Sequence, residues 1–173
     1  MIKAHQHYWF TVPVARARME EIVWRARGSY KIIEVGCNEG FLSQALIEDG
    51  HHVTSVDNDP KMVAIAKEKF GIEVELADAC NLPFLDGQFD LAIGGELLEH
   101  LDNPGQGLSE LFRVAKRRVI ISIPIGEYWM GEQSHKWQID SSFIEHDRGL
   151  ACELIKKVLV IEFNKRPQRS GKG

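Results

Sequence analysis

At 173 residues, 44% of them hydrophobic and 27% charged, the chain holds enough apolar mass for one packed domain, too little length for two, and too much apolar content for a disordered polymer. A formal net charge of −4 argues against broad electrostatic attraction to nucleic acid or anionic lipid. No apolar run reaches bilayer length, the N-terminus lacks a secretory pattern, and Cys37, Cys80 and Cys152 form no C-x-x-C, so reduced thiols, a cytoplasmic location and no membrane span are expected.

The chain opens with His5-Gln6-His7-Tyr8-Trp9-Phe10, and a helical pattern follows from about Val14 to Ala26 with Val14, Met19, Ile22 and Val23 on one side. Residues 1–28 are read as an N-terminal lid or packing helix, and residues 29–173 as a single domain. Past Gly28, strand and helix patterns alternate. Strands are predicted at Lys31 to Val35, His52 to Val56, Ile72 to Leu76, Phe89 to Ile93, Arg118 to Ile123 and Val158 to Phe163. Helices are predicted at Phe41 to Glu48, Pro60 to Phe70, Pro104 to Ala115 and Ser141 to Lys157. Asp59 before Pro60 and Asn103 before Pro104 mark two helix starts, each a capping side chain followed by proline at the first helical position. Such alternation implies right-handed βαβ crossovers and an α/β, Rossmann-like, doubly wound fold with a mostly parallel sheet. The basic runs Lys116-Arg117-Arg118 and Lys165-Arg166-Pro167-Gln168-Arg169 are read as solvated ends.

Four motifs punctuate this pattern. The first strand ends in Ile33-Glu34-Val35 and runs into Gly36-Cys37-Asn38-Glu39-Gly40, bringing backbone close to a ligand at the carboxyl edge of the sheet. Gly36 and Gly40 remove obstructing side chains, and Asn38 tolerates a left-handed conformation. Phe41 stands where a dinucleotide fingerprint needs a small residue, and Glu34 would repel a pyrophosphate, so a cationic nucleoside fits better. Asp57, in Val56-Asp57-Asn58-Asp59-Pro60, follows the glycine loop by roughly 20 residues, where a carboxylate can accept both ribose hydroxyls. Ala77-Asp78-Ala79-Cys80-Asn81-Leu82-Pro83-Phe84 and Phe89-Asp90-Leu91-Ala92-Ile93-Gly94-Gly95-Glu96-Leu97-Leu98-Glu99-His100 complete the set.

In this order the four motifs resemble the class I S-adenosylmethionine-dependent methyltransferases, in particular the branch holding the small-molecule O- and C-methyltransferases of quinone biosynthesis. The resemblance covers Lys31 to Pro124. It implies S-adenosyl-L-methionine as cofactor, with Glu34 near the methionine ammonium, Gly36, Cys37, Asn38 and Gly40 beneath the ligand, and Asp57 and Asn58 at the ribose. Asp78 and Ala79 would border the adenine, and Glu96 would stand between cofactor and acceptor. Gly94-Gly95-Glu96-Leu97 replaces the Asp/Asn-Pro-Pro-aromatic tetrapeptide of enzymes that methylate base amines, which argues against that chemistry. Family members usually end in a two-strand hairpin, whereas only Arg166 to Gly173 follow the sixth predicted strand here. A shortened C-terminal end is therefore expected, with an open edge to be covered by the tail, by the loop from Ile125 to Gln138, or by a second subunit of a homodimer.

Glu96, Glu99 and His100 spell E-x-x-E-H, and on a helical turn positions i, i+3 and i+4 share a face. Downstream, Ser134-His135-Lys136-Trp137 resembles the T-H-x-W segment of quinone O-methyltransferases and the H-x-F/W segment of small-RNA 2′-O-methyltransferases, in which two glutamates and two histidines bind a divalent cation. Carried over, Glu96, Glu99, His100 and His135 form a candidate site for magnesium, manganese or zinc. Without a cation, His100 or His135 is the expected general base beside Glu96. The remaining histidines, His5, His7, His51, His52 and His146, read as surface or turn residues. Tyr8, Trp9, Phe10, Tyr128, Trp129, Met130 and Trp137 either line an acceptor pocket or cover the core. The expected activity is methyl transfer to a hydroxyl of a small molecule. The alternatives are a 2′-O-methyltransferase of RNA 3′ ends, which the acidic net charge disfavours, and a non-catalytic nucleoside-binding partner subunit.

Overall fold

A computed structural model describes residues 13–124, 135–136, 150–155 and 158–165. In chain order they form α1 (Pro13–Ala26), β1 (Lys31–Val35), α2 (Phe41–Glu48), β2 (His52–Asp57), α3 (Pro60–Phe70), β3 (Val74–Leu76), β4 (Phe89–Gly95), a 3-10 turn (Leu98–His100), α4 (Pro104–Val114), β5 (Ala115–Pro124), β6 (Leu150–Ile155) and β7 (Val158–Asn164). One seven-stranded sheet results, in the order β3-β2-β1-β4-β5-β7-β6. Pairing is parallel from β3 through β5, whereas β7 runs antiparallel to β5 and β6 antiparallel to β7. Strand order reverses direction between β1 and β4, and at such a switch point the connecting loops diverge and leave a crevice at the carboxyl edge.

Side-chain alternation builds a core on each face of the sheet. On one face Ile33, Val35, Ala92, Val119 and Ile121 pack with Leu98 of the 3-10 turn and with Leu111 and Val114 of α4. On the other, Ile32, Leu91, Ile93, Ile120 and Val160 pack with Met19, Ile22 and Ala26 of α1 and with Phe41, Leu42 and Leu46 of α2. The N-terminal helix therefore buries its apolar stripe on the sheet, with Val14 and Val23 half-buried at its margins. Its buried Arg25 meets Glu21 at 2.6 Å and Glu162 of β7 at 3.5 Å, so the stripe carries its own charge compensation.

The expected helix starts form as the capping chemistry dictates. Asp59 Oδ1 accepts the Lys61 N–H at 2.8 Å, and Asn103 Oδ1 accepts the Gln106 N–H at 3.0 Å. The C-terminal part departs from expectation. Of the helix predicted over 141–157, the described part, Leu150–Ile155, is a strand, because pairing with β7 along its whole length satisfies its backbone. The seventh strand expected to be missing is thus present, and β6 covers the edge left to a tail, a loop or a second subunit. Smaller shifts occur at β3, which starts at Val74, and at β5, which continues from α4 without a break at Ala115. The large apolar residues Tyr8, Trp9, Phe10, Tyr128, Trp129, Met130 and Trp137, with His5, His7, Ser134, His146 and the tail from Arg166, lie outside the described residues.

Candidate cofactor and acceptor cavity

The crevice beside the switch point is a cavity of about 440 Å³ lined by residues of α1, the ends of β1 and β2, and the segment after β4. Its floor is the glycine loop. Gly36 adopts φ 75° and Gly40 φ 84°, both in the left-handed region, and Asn38 joins them at φ 50°. A Cβ on Gly36 would stand 2.8 Å from Leu97 Cδ1, so this turn tolerates no side chain. Loop and second strand are locked together, since the N–H groups of Gly36 and Cys37 both donate to the Val56 carbonyl, at 2.8 and 3.0 Å. Phe41 opens α2 and lines the cavity, with its ring edge against Phe70 at 5.1 Å between centroids.

Asp57 ends β2 with its carboxylate fixed by backbone. Oδ2 accepts the Asn38 N–H at 2.7 Å and Oδ1 the Asp59 N–H at 2.9 Å. Glu34, 3% exposed, faces the same cavity and accepts a hydrogen bond from Ser43, which in turn contacts Ser55 at 2.6 Å. Burial pushes the Glu34 carboxyl up to about 7; the Ser43 hydroxyl and Arg18 pull the other way, and Asp57 adds to the rise. Burial, with Glu34 and Asp57 nearby, also pushes the Cys37 thiol up, so that side chain is neutral volume rather than a nucleophile. Asn58, Ala77 and Ala79 line the adjoining wall. Asp78 is exposed and stands outside the lining, its Oδ1 accepting the Cys80 N–H at 2.8 Å.

At the other end of the cavity the E-x-x-E-H segment divides. The turn begins only at Leu98, and Glu96 precedes it at φ 50°, with its N–H held by the Ser122 carbonyl at 2.8 Å. The expected shared face therefore does not include Glu96. Its carboxylate instead meets Arg18 of α1 at 2.8 Å. Glu99 and His100 point to another partner: their ligand atoms and one from His135 all lie within 4.8 Å of one another. His100 lines the cavity, and its ring centroid lies 4.9 Å from that of His135. The backbone ties the two segments, because the Lys136 N–H donates to the Glu99 carbonyl at 2.7 Å. Glu99 is 1% exposed and neither carboxylate oxygen has a hydrogen-bond partner among the described residues. Burial pushes its carboxyl up to about 8, with Glu96 adding to the rise. His51 and His52 lie away from the cavity, His51 against the Ser29 carbonyl at 2.8 Å and His52 against Tyr30.

Sequence reasoning missed Arg18. A signal for it exists in the helix period: Ala15, Met19, Ile22 and Ala26 form the buried stripe, and Arg18 and Arg25 follow Ala15 and Ile22 at i+3, on the same face. A base on a buried stripe needs a carboxylate opposite it.

A model of the methyltransferase domain family matches residues 33–123. The chain is 26% identical over 115 residues to the malonyl-[acyl-carrier protein] O-methyltransferase of Pectobacterium atrosepticum, covering 65% of this chain and 46% of that protein. It is 30% identical over 112 residues to the demethylmenaquinone methyltransferase of Chlorobaculum parvum, covering 64% and 45%. A SAM-dependent methyltransferase from Archaeoglobus fulgidus superposes with a TM-score of 0.75 at 17% identity, covering 88% of this chain and 93% of that one. The chain spans less than half the length of these two curated relatives.

Proposed function

This chain belongs to the class I S-adenosylmethionine-dependent methyltransferases, and from that premise we propose that it moves a methyl group from S-adenosylmethionine to a hydroxyl oxygen of a small molecule. The observation that carries the reading is the pairing, in one cavity, of the Asp57 carboxylate beside the glycine loop with His100 at the far end, which Glu99 and His135 back from behind. When bound, S-adenosylmethionine supplies a methyl carbon on a sulfonium, open to in-line attack. Asp57 would hold the ribose hydroxyls, Glu34 in its ionised form would meet the ammonium, and Ala77 and Ala79 would bound the base. His100 would accept the acceptor's hydroxyl proton, with His135 beside it to share the charge.

The cluster also suits a divalent cation. One carboxylate and two imidazoles are a manganese- or zinc-type donor set, and the oxygens of buried Glu99, unpartnered among the described residues, are groups a cation would satisfy. Such a cation would lower the pKa of the acceptor hydroxyl. The oxygen acceptor draws support from the O-methyltransferase name of one relative. Among the described residues no helix is long and apolar enough to cross a membrane. A cytoplasmic location is part of the same reading, supported by the free thiols of Cys37 and Cys80.

Calorimetric titration of S-adenosylmethionine and S-adenosylhomocysteine, followed by assay of S-adenosylhomocysteine release against a panel of small hydroxyl compounds, tests the proposal. Micromolar binding and acceptor-dependent release are expected. Absence of binding to either nucleoside would overturn the whole reading, and release only with RNA would overturn the small-molecule acceptor.

A further inference from the structure

We propose that Ser43 and Ser55 are positioning residues that hold Glu34 as a carboxylate for the cationic end of the nucleoside, and so set the pH from which that ligand binds. The inference rests on the methyltransferase reading for the identity of the ligand; the ionisation of Glu34 itself does not depend on it.

Three elements meet at this carboxyl. Glu34 of β1 stands in register with Ser55 of β2 on one side and with Ile93 of β4 on the other, and α2 brings Ser43 to the same place. Ser43 is 0% and Ser55 1% exposed. A hydroxyl is costly to bury unless it is bonded, and alanine suits a helix interior better than serine, so neither residue is explained by packing alone. Ser43 gives its one proton to Glu34 Oε2, which leaves the Ser43 oxygen to accept from Ser55 at 2.6 Å. Both hydroxyl protons therefore point one way, from Ser55 through Ser43 to Glu34, and bonds aligned in series strengthen one another.

That direction selects a protonation state. An ionised carboxyl accepts the chain as it stands. A neutral one accepts more weakly or, donating its own proton to Ser43, reverses the chain and leaves the Ser55 proton with no acceptor among the described residues. The surrounding charges do not do this work. Arg18 of α1 favours the carboxylate less than Ser43 does and is itself bound to Glu96 at 2.8 Å, whereas Asp57 of β2 opposes it. Glu39, also on the cavity wall, is taken by Lys69 of α3 at 2.6 Å, and the Cys37 thiol stays neutral. A buried acid so supported, facing an open cavity, is kept for a cation that arrives from outside.

Two arms test the pair. In the ligand-free protein, the carboxyl 13C shift of Glu34, assigned by its loss in Glu34→Gln, is followed against pH in the wild type, Ser43→Ala and Ser55→Ala. The midpoint should rise by roughly one unit in Ser43→Ala, and by less in Ser55→Ala, which acts through Ser43. In the second arm, S-adenosylhomocysteine, which keeps the ammonium, is titrated by calorimetry. Ser43→Ala should bind roughly tenfold more weakly than the wild type at about pH 6, and the gap should close towards about pH 8, where both proteins are largely ionised.

A Glu34 midpoint unmoved by either substitution overturns the proposal whatever the ligand. A loss of affinity by the same factor at every pH overturns it too, since that marks a merely structural role. If Ser43→Ala does not fold, Ser55→Ala decides by the same two readouts. A wild type that binds no S-adenosylhomocysteine overturns the methyltransferase reading and the ligand named here, while the hydroxyl chain is still judged by the first arm.

Discussion

Asp57 holds Asn38 by a 2.7 Å hydrogen bond from the Asn38 backbone N–H to Oδ2, across a separation of 19 residues. With Oδ1 taking the Asp59 N–H at 2.9 Å, one carboxylate fastens the glycine loop to the end of β2 and stays oriented for a ligand. Each oxygen keeps lone-pair capacity for a ribose hydroxyl. Asp57→Ala should therefore lower the affinity for S-adenosylhomocysteine by roughly tenfold or more and cost about 1–3 kcal/mol of stability through the two orphaned donors. Asp57→Asn, with one acceptor oxygen left, should fall between. Calorimetry and urea unfolding read the two effects separately, and unchanged affinity in a folded Asp57→Ala protein would remove the ribose assignment.

Gly36→Ala tests the closeness of the loop to its neighbours. The residue sits at φ 75°, and a Cβ would lie 2.8 Å from Leu97 Cδ1. Leu97, 8% exposed, is packed in the core and cannot withdraw freely. Backbone strain and overpacking together predict a loss of about 2–4 kcal/mol, seen as a lower urea midpoint at unchanged m-value. A midpoint equal to that of the wild type would mean that Leu97 has room to move.

The parallel half of the fold was legible because its signals are local. The strand at Lys31 to Val35 shows in its own residues, and Asp59-Pro60 and Asn103-Pro104 announce helices through hydrogen bonds that span two or three residues. Leu150 to Ile155 was not legible, since Ala-Cys-Glu-Leu suits either a helix or a strand and the choice is made by β7, which supplies the pairing partner from outside the segment. The carboxylates Glu34 and Asp57 could be placed from their positions at strand ends. Glu96 could not: its spacing to Glu99 presupposes a regular turn, and the backbone turns left-handed there before the 3-10 turn begins. Arg18 lay beyond the motif altogether, brought to the cavity by the docking of α1 on the sheet.

Glu34 should make cofactor binding depend on pH. Burial raises its carboxyl from 4.5 to about 7 in the folded protein, so between those values the folded state keeps a proton that the unfolded chain has released. Its contribution to stability is therefore greatest below about 4.5, declines as the pH rises, and levels off above about 7. An ammonium ligand favours the carboxylate, which gives the opposite slope for binding: affinity for S-adenosylmethionine should rise with pH up to about 7, with proton uptake by the buffer when binding occurs below that value. Glu34→Gln should flatten its part of both curves. Calorimetry at about pH 6 in buffers of different ionisation enthalpy measures the proton directly, and a binding enthalpy independent of the buffer would separate Glu34 from the ammonium.

Glu99 decides whether the histidine pair works with a cation or alone. Its carboxyl is buried with no side-chain oxygen partnered among the described residues and is raised to about 8, while its ligand atom stands within 4.8 Å of those of His100 and His135. A cation must displace the proton, so manganese affinity should increase as the pH rises towards about 8, with proton release on binding. Glu99→Gln keeps the shape but removes the negative ligand, and should weaken manganese binding by roughly tenfold or more, read from the loss of the free-ion electron paramagnetic resonance signal. In metal-free protein the same substitution should raise the melting temperature at alkaline pH, where the wild type must bury an unpaired charge and the amide does not. The two readouts move in opposite directions, which a general loosening of the fold cannot produce. A wild type indifferent to manganese and zinc across this range would leave His100 and His135 to handle the acceptor's proton without a metal.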